Sequence, residues 1–387
     1  MRIAITGLGV VSATGCGVEE NLLGLLQLRS GIGAVTHFET HHRVPVGEVK
    51  MTDVELKAAL GLPPRKVLSR TTLLGMMAVR EAVLDAHLPE GCRAGFVSAT
   101  SVGGMDLTED FFPRFMDDAY SGRVALVAQH DPAASTHAIA DYCQLNGYRT
   151  TISTACSSAA NALIHAARLI ENEVCDVVVA GGCDALSRFT INGFSSLGIL
   201  DPEPSRPFDR DRHGLNLGEG AGYVVLQRGD CLTREPYAYL SGWANANDAH
   251  HQTATSAEGE GAFRAMREAM ERAGNPHIDY INTHGTGTPN NDASEVAALV
   301  RLFGGNVPPF SSTKPFTGHT LAAAGGIEAV FSVLALRDGL RYPNLGFRTS
   351  DTVLEPLCTL QRGEEIRAVM SNSFGFGGND TSLIFTR

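Results

Sequence analysis

The chain has 387 residues, and its formal net charge of −11 argues against nucleic acid as the main partner. Hydrophobic residues make up 43% and charged residues 19%, as in ordinary globular proteins, and the length allows two fused halves with a large core. No membrane span or signal peptide is predicted, and eight scattered cysteines without a C-x-x-C pair indicate free thiols in a reducing compartment, which predicts a cytoplasmic protein.

The N-terminal quarter begins with a predicted buried strand over residues 2–11 and a short helix over 21–28. A long helical pattern then runs from Pro63 to Ala86. It carries a basic cluster, Arg65, Lys66 and Arg70, within two turns. The residues alone favour a solvated helix face, and the functional alternative is a docking patch for an acidic carrier.

The next segment alternates between strands and helices. Residues 94–99 and 176–182 read as strands, and a glycine turn follows the first of them at Val102. Phe111, Phe112 and Phe115 are expected to belong to the core or to line a pocket. Strands that alternate with helices predict a parallel sheet covered by helices, which is an α/β fold.

Residues 151–165 combine a β-branched run, a turn with one thiol at Cys156, and a helix that begins with small residues. A cysteine at a helix N-terminus is favoured as the thiolate, the form that acts as a nucleophile. The alternative is a buried structural cysteine. The same plan of strand, turn and small-residue helix recurs at residues 310–334, and the chain turns a corner near 229–234. We therefore predict two halves, residues 1–233 and 234–387.

Three glycine-rich segments carry further polar residues. They are residues 282–289 with His284, residues 312–319 with Lys314 and His319, and residues 371–380 with Phe376. Each is weak alone. Together with Cys156 they offer a thiol, two imidazoles, an ammonium group and backbone N–H donors.

Four motifs in this order resemble the β-ketoacyl-acyl-carrier-protein synthases of the elongating type. They are Thr-Ala-Cys-Ser-Ser, His-Gly-Thr-x-Thr-Pro, Thr-Lys-x-x-x-Gly-His-Thr and Asn-Ser-Phe-Gly-Phe-Gly-Gly. The similarity covers essentially the whole chain. It implies the thiolase fold, in which two duplicated βαβαβαββ halves form five layers, αβαβα, and it implies a dimer. The first half would carry the nucleophilic cysteine, and the second the histidines and the lysine.

The resemblance also implies residue roles. Cys156 would accept an acyl group from acyl carrier protein, with the N–H groups of Cys156 and Phe376 as the oxyanion hole and Phe376 as a gate. His284 and His319 would stabilise the enolate formed when malonyl carrier protein loses carbon dioxide, giving a 3-oxoacyl product. Lys314 would hold and polarise the histidine side of the site.

Supporting roles follow from the same resemblance. Glu328 would order the region of Lys314. Thr286 and Thr288 would contact the pantetheine arm, as would Thr253, and Val102 would line an acyl pocket. No resident cofactor or metal is expected, because the substrates travel on the phosphopantetheine of the carrier protein.

The expected partners are acyl carrier protein and a second subunit, either a copy of this chain or a homologue similar to a chain-length factor. Three departures from the family pattern bear on the substrate: Gly287, Asn290-Asn291 and Asn379-Asp380. They leave fatty acid and polyene or polyketide synthesis both open. Asp380, if ionised, would add a negative charge beside the gate.

Three other readings compete. A non-catalytic chain-length partner would lack the cysteine that stands at position 156. A thiolase acting on coenzyme A would need a second cysteine near the C-terminus, and residues 374–380 contain none. Metal binding by His284 and His319 would be opposed by the Lys314 cation.

Overall fold

The computed structural model describes residues 2–89 and 91–387. In the first half the strands are β1 (Ile3–Ser12), β2 (Gly15–Cys16), β3 (Ile32–Gly33), β4 (Val46–Gly47), β5 (Gly95–Ala99), β6 (Arg149–Ile152), β7 (Val177–Asp184) and β8 (Gly220–Arg228). The helices are α1 (Val18–Leu26), α2 (Asp53–Ala59), α3 (Arg70–Asp85), α4 (Met105–Asp117), α5 (Val124–Val127), α6 (Pro132–Tyr142), α7 (Ser158–Glu171) and α8 (Arg188–Ser196).

In the second half the strands are β9 (Ala238–Asn247), β10 (Tyr280–Asn282), β11 (Phe310–Ser311), β12 (Leu340–Arg341), β13 (Gln361–Arg362), β14 (Ala368–Gly375) and β15 (Asn379–Thr386). The helices are α9 (Glu260–Arg272), α10 (Pro289–Phe303), α11 (Lys314–Thr317) and α12 (Ala324–Asp338), with a 3-10 turn at Leu321–Ala323 before α12.

The two halves repeat one sheet topology. The strand order is β6-β5-β7-β8-β1 in the first half and β11-β10-β14-β15-β9 in the second, and β1 pairs with β9 to join them. In each half the first two strand pairings in that order are parallel and the last two pairings are antiparallel. The duplication predicted from the sequence is therefore present in the strand pairing. The boundary predicted at 233/234 falls between β8 and β9 and stays a prediction.

The helices form three of the five layers. α3 and α6 pack on the outer face of the first sheet, and α9 packs on the outer face of the second with α10 beside it. α7 and α12 lie between the sheets, where α7 contacts β5 and β7 and α12 contacts both β8 and β14. Helices that are apolar all round belong in such a central layer, and α12 is buried from Ala324 to Leu336. The expected αβαβα arrangement is confirmed.

Glycines allow the central helices to approach their neighbours at backbone distance. A Cβ on Gly326 would lie 2.3 Å from the carbonyl oxygen of Gly222 in β8, and one on Gly222 would lie 2.2 Å from the nitrogen of Ile327. A Cβ on Gly325 would lie 2.9 Å from the nitrogen of Ala160 in α7. The small residues at the start of α12 are therefore required by close packing against a strand and a helix at once.

The helix predicted to begin at Pro63 begins instead at Arg70, where the Ser69 side chain accepts a hydrogen bond from the Thr72 backbone N–H and caps the helix. Arg70 is consequently not part of a basic surface. Only 6% of it is exposed, and its guanidinium donates to Glu219 at 2.7 Å and to Asp53 at 2.8 Å. The prediction that Arg70 belongs to a docking patch is corrected by this buried ion pair.

The aromatic residues of α4 also differ from expectation. This helix has no buried residue, and Phe112 and Phe115 are 55% and 41% exposed. Phe111 stacks on Phe115 with ring centroids 5.7 Å apart. The prediction that these side chains belong to the core or to a pocket is wrong for Phe112 and Phe115. Within residues 2–89 and 91–387, no helix is long and apolar enough to cross a membrane.

Asp380 is a buried carboxyl group near the start of β15. It is 1% exposed, and its Oδ1 has no hydrogen-bond partner among the described residues. Burial, followed by the charges of Asp248 and Glu295, raises its pKa to about 8. At neutral pH Asp380 is therefore protonated and does not bring the negative charge considered from the sequence.

This burial predicts that Asp380→Asn stabilises the protein as the pH rises. The unfolded chain loses the Asp380 proton above about pH 4, whereas the folded protein keeps it until about pH 8. The folded state of the parent therefore loses stability across that window, and asparagine does not. We expect the variant to have an equal free energy of unfolding at pH 4 and one about 5 kcal/mol higher at pH 8, since each pKa unit corresponds to about 1.4 kcal/mol. Urea unfolding at several pH values measures this difference.

The matched control is Asp211→Asn, which makes the same change at an exposed carboxylate. Its stability relative to the parent should not vary with pH. An Asp380→Asn variant whose difference from the parent is constant between pH 4 and 8 would show that Asp380 is ionised in the folded protein.

Candidate active site

Cys156 lies in a tight turn between β6 and α7. The turn passes through Ala155 with φ +53°, a left-handed conformation that is uncommon for a residue with a Cβ. Ser158 secures it, because its hydroxyl accepts from the Thr154 N–H at 2.8 Å and donates to the Ala155 carbonyl at 2.6 Å. Cys156 itself is 6% exposed. The strand, turn and helix predicted around the thiol are therefore present, and the strain lies one residue before the thiol.

Burial dominates the chemistry of this thiol. It raises the pKa of Cys156 to about 11, although the Lys314 charge and backbone N–H groups, that of Phe376 first, act to lower it. The expectation that the helix N-terminus would favour the thiolate is thus outweighed by desolvation. The resting residue is a protonated thiol that faces the N–H of Phe376.

His284 follows β10 directly, in a turn held from behind by Glu295. The Oε1 of Glu295 accepts from the His284 N–H at 3.0 Å, and its Oε2 accepts from the Gly285 N–H at 2.9 Å. The ring centroids of His284 and His319 are 5.5 Å apart and the rings are nearly perpendicular, at 87°. Two short loops from the second half therefore bring both imidazoles together.

His319 is fixed in one tautomer by its own backbone neighbourhood. The backbone N–H of His319 donates to the carbonyl of Asn216 at 2.7 Å, which ties this residue to the first half. Its Nδ1 lies 3.1 Å from the N–H of Leu321 and accepts that hydrogen. The proton of the neutral ring must then be on Nε2, so the ring presents a donor.

Lys314 plays the corresponding part for His284. Its Nζ donates to the His284 carbonyl at 2.5 Å and to Glu328 Oε1 at 2.5 Å, and it lies 3.4 Å from His284 Nδ1. An ammonium group beside Nδ1 assigns the ring proton to Nε2. The same cation opposes a metal ion at this histidine pair.

The two imidazoles are neutral. Burial, followed by the Lys314 charge, lowers the pKa of His284 well below its ordinary value and that of His319 to about 3. Burial raises the pKa of Glu328 to about 6, while Lys314 opposes the change. The site therefore contains one buried ion pair and two uncharged N–H donors at neutral pH.

One cavity connects these groups. Its inner part is lined by Cys156, His284, His319 and Phe376. The polar part of its wall comes from Thr253, Thr255, Thr286, Thr288, Asn290 and Asn291, and the apolar part from Phe194, Leu197, Ile199, Leu215 and Phe374. The Thr286 and Thr288 hydroxyls are 2.8 Å apart. A cavity lined by both polar and apolar side chains suits a ligand that has a polar arm and an apolar chain.

Most of the predicted site residues lie at the cavity, but not all of them. Cys156, the two histidines, Phe376 and the three threonines line the cavity, while Lys314 and Glu328 lie directly behind it. Val102 is not among the lining residues. It is half-buried against an apolar cluster around Leu186, with its N–H 3.2 Å from Asp184 Oδ1. Arg65 and Lys66 are exposed in the loop between α2 and α3.

Sequence reasoning missed the apolar wall and the buried carboxyl groups of Glu295 and Asp184. Phe194 stacks on Phe376 with centroids 6.0 Å apart, yet nothing in its sequence neighbourhood pointed to the site. Asp184 accepts from the Ser101 and Ala322 N–H groups at 3.0 and 2.9 Å, which links β5 to the start of α12. Its only sequence signal was a charge at the end of a buried strand.

The Asn290 departure also lies in the cavity wall. Asn290 Oδ1 accepts from the Thr255 N–H at 3.0 Å, and its Nδ2 donates to the Thr255 carbonyl at 3.3 Å. The start of α10 is therefore fastened to the loop that follows β9. This departure changes the wall of the cavity and leaves the thiol and the histidines unaffected.

Comparison with known families and proteins agrees with this geometry. Residues 1–230 match the family model described as β-ketoacyl synthase, N-terminal domain, and residues 237–348 match that of its C-terminal domain. The chain is similar to 3-oxoacyl-[acyl-carrier-protein] synthase 2 of Rhizobium meliloti, with 35% identity over 100% of this chain and 99% of the relative. The corresponding synthase of Staphylococcus aureus is 33% identical over 100% and 98%.

Solved structures extend the likeness to the fold. The ishigamide ketosynthase/chain length factor superposes with a TM-score of 0.94 at 30% identity, covering 100% of this chain and 98% of that one. A chain of the complex between the ketosynthase ApeO and its chain length factor ApeC from Xenorhabdus doucetiae gives 0.86 at 32% identity over 100% and 98%. The five-layer arrangement is the thiolase fold, as the resemblance implied. By its sequence, its fold and the thiol and histidines of its cavity, this chain belongs to the β-ketoacyl synthase family of condensing acyltransferases.

Proposed function

We propose that this synthase joins an acyl group held on Cys156 to the two-carbon unit of malonyl-acyl carrier protein. The observation that carries the proposal is that the buried thiol, two neutral imidazoles that each present an Nε2–H, and the N–H of Phe376 meet around one cavity. Acyl transfer needs a nucleophile and an oxyanion hole, and decarboxylation needs donors for an enolate. Each of these requirements has its own residues here.

In the first step the sulfur of Cys156 attacks the thioester carbonyl of the acyl carrier. The N–H groups of Cys156 and Phe376 stabilise the oxyanion, and the carrier leaves as its thiol with the proton that the Cys156 thiol gives up. In the second step the malonyl group loses carbon dioxide, and the electron pair becomes an enolate held by the Nε2–H groups of His284 and His319. Its carbon attacks the acyl thioester, and Cys156 leaves as a thiolate, which takes up one proton from water to restore the resting thiol.

Lys314 acts in this scheme as a fixed cation. Its ammonium group is paired with Glu328 and fully occupied by hydrogen-bond acceptors, so it has no lone pair for a proton transfer. After burial, it is the second cause that keeps both histidines neutral, because a second positive charge beside it would be unfavourable. Glu328 keeps the lysine in place.

The substrates we propose are acyl groups on the phosphopantetheine of acyl carrier protein, with no resident cofactor. Thr253, Thr286 and Thr288 line the polar side of the cavity, where the amides of the pantetheine arm would find hydroxyl partners. The apolar wall would take the acyl chain. We assign the enzyme to fatty acid synthesis or to a polyene or polyketide pathway of the cytoplasm, and its eight unpaired cysteines fit a reducing compartment.

The alternatives lack support at the site. A chain-length partner without catalysis has no use for the thiol that faces the histidines. A thiolase needs a second cysteine, and Cys156 is the one cysteine among the described residues that line the cavity.

We expect His319→Ala to separate the two steps. The variant keeps Cys156 and both oxyanion donors, so acylation by an acyl carrier thioester should stay within about threefold of the parent. Condensation loses an enolate donor and should fall by about 100-fold or more. Mass analysis of the Cys156 peptide measures the first step, and 3-oxoacyl product measures the second. Cys156→Ala, the control, should do neither. A variant that condenses at the parental rate would contradict the role of His319.

Carrier-protein docking is proposed for the two exposed cations of the α2–α3 loop. Arg65 and Lys66 lie on the surface of a protein with net charge −11, so they form a local site for an acidic carrier. Arg65→Glu with Lys66→Glu should lower kcat/KM for carrier-bound acyl groups by about tenfold at low salt. Activity on acyl-pantetheine, which has no carrier protein, should stay within about twofold.

The control for this docking prediction is Arg264→Glu with Arg267→Glu. It makes an equal change of charge on the outer helix α9. It should affect neither substrate by more than about twofold. An equal loss on carrier-bound and carrier-free substrates would show that Arg65 and Lys66 do not bind the carrier.

A second subunit of the same fold is proposed to cover the apolar surface of α4 and α5. Met116 is 65% exposed, Tyr120 fully and Val124 75%, and neither helix has a buried residue. Such a patch marks an interface. β6, at the end of the sheet, also leaves one edge without a partner strand among the described residues. The partner would be a copy of this chain or a homologue similar to a chain-length factor.

Met116→Glu with Val124→Glu should weaken this association by about 100-fold, because two charges would be buried without partners. Light scattering on the chain alone, and on the chain co-expressed with a candidate homologue, distinguishes the two subunit arrangements. Val353→Glu, at an apolar residue that is 83% exposed elsewhere, is the control and should leave the mass unchanged. A double variant with the parental mass in both preparations would contradict this interface.

A further inference from the structure

The side chain of Asn379 is the centre of a hydrogen-bond cluster beside the nucleophile. Its Oδ1 lies 2.8 Å from Ser157 Oγ, 2.8 Å from Asn161 Nδ2 and 2.7 Å from Asn245 Nδ2. The three donors come from the start of α7, from its second turn and from β9. A single carbonyl oxygen therefore joins three separate elements, and the hydroxyl hydrogen of Ser157 is shared with the carbonyl of Thr154 at 2.8 Å.

This cluster lies between the two segments that carry the N–H donors of the proposed oxyanion hole. Ser157 is the residue next to Cys156, and Asn379 is three residues after Phe376. The backbones meet at the same place, because a Cβ on Gly375 would lie 2.9 Å from the Thr154 carbonyl and 3.2 Å from Ser157 Oγ. The turn of the nucleophile and the strand end that precedes Phe376 are thus in direct contact, and the side chain of Asn379 is the polar link across that contact.

The link matters because the two oxyanion donors belong to different segments. The N–H of Cys156 is fixed by the turn before α7, and the N–H of Phe376 is fixed by the hairpin between β14 and β15. Gly377 and Gly378, which both have positive φ, give that hairpin little stiffness of its own. A displacement of either segment by a fraction of an ångström would spoil an arrangement that requires two donors aimed at one oxygen.

We propose that Asn379 is a positioning residue for acyl transfer, which fixes the N–H of Phe376 relative to that of Cys156. It touches no substrate and acts through Ser157 and the hairpin. The inference rests on the proposed function, because it requires that Cys156 be acylated from a thioester. It also gives a role to one of the residues that depart from the family pattern.

Two reactions of the same thiol test the proposal. Acylation by an acyl carrier thioester passes through an oxyanion, whereas alkylation by iodoacetamide displaces iodide at a saturated carbon and forms none. We expect Asn379→Ala to lower kcat for Cys156 acylation by about 10- to 100-fold, to leave KM within about twofold, and to leave the alkylation rate within about twofold. Asn379→Thr should lie between the parent and the alanine variant, and it carries the comparison if the alanine variant does not fold.

Asn172→Ala is the control, because it removes an asparagine hydrogen bond to α7 at the far end of the helix, where Nδ2 donates to the Arg168 carbonyl at 2.7 Å. It should change neither reaction by more than about twofold. Equal losses in acylation and alkylation in the Asn379 variants would show a general disturbance of the thiol and overturn the inference, as would acylation at the parental rate. A parent protein that alkylates but never acylates Cys156 would overturn the proposed function, and this inference with it.

Discussion

The close contact of α12 with β8 and α7 is the constraint on which the rest of the molecule depends. Gly222, Gly325 and Gly326 let backbones approach to distances that no side chain would permit. Because α12 belongs to the second half and β8 to the first, this contact sets the two halves against each other. It also brings the starts of α7 and α12 to the same region. The thiol before α7 and the histidine before α12 then face one cavity.

The electrostatics of that cavity follow from burial and from a single buried cation. Lys314 is paired with Glu328 and carries its charge behind the histidines, where water does not screen it. A neutral imidazole beside a cation can donate a hydrogen bond but has little tendency to take up a proton. The same charge acts on the buried thiol in the opposite direction to desolvation. The site therefore combines donors, which stabilise negative charge as it develops, with a nucleophile that is protonated at rest.

Whether the sequence could predict the place of a residue depended on how far away in the chain its contacts lie. The thiol, the histidines and the lysine stand in short motifs, and the strand, turn and helix around them are local structures. The fold and the family predicted from those motifs are confirmed, whereas the roles of the individual residues stay predictions until they are tested. Asp184 and Phe194 were missed because their partners, Ala322 and Phe376, are far away in the chain.

The wrong prediction for Arg70 has the same cause, a contact with a residue far away in the chain. It stands in a basic cluster with Arg65 and Lys66, and charge alone made it a surface residue. Its partner Glu219 is on the far side of the first half in sequence, so nothing local could reveal the ion pair. The helix start at Ser69, which separates Arg70 from the loop of the other two cations, was concealed by an apolar pattern that continues on both sides. Solvation of a charged side chain is a property of the whole fold.

The order of strands has a consequence for the synthesis of the protein on the ribosome. β1 is made before β8 and β9, the two strands that flank it in the middle of the sheet. Apart from the two-residue strand β2, it has no partner strand until residues 220–228 have been translated. β9 can pair with β1 as soon as it is made, but its other edge has no partner strand until residues 379–386 have been translated. The apolar helix α7 of a nascent chain is therefore complete long before its central-layer neighbour α12, and before residues 374–378, which complete the cavity.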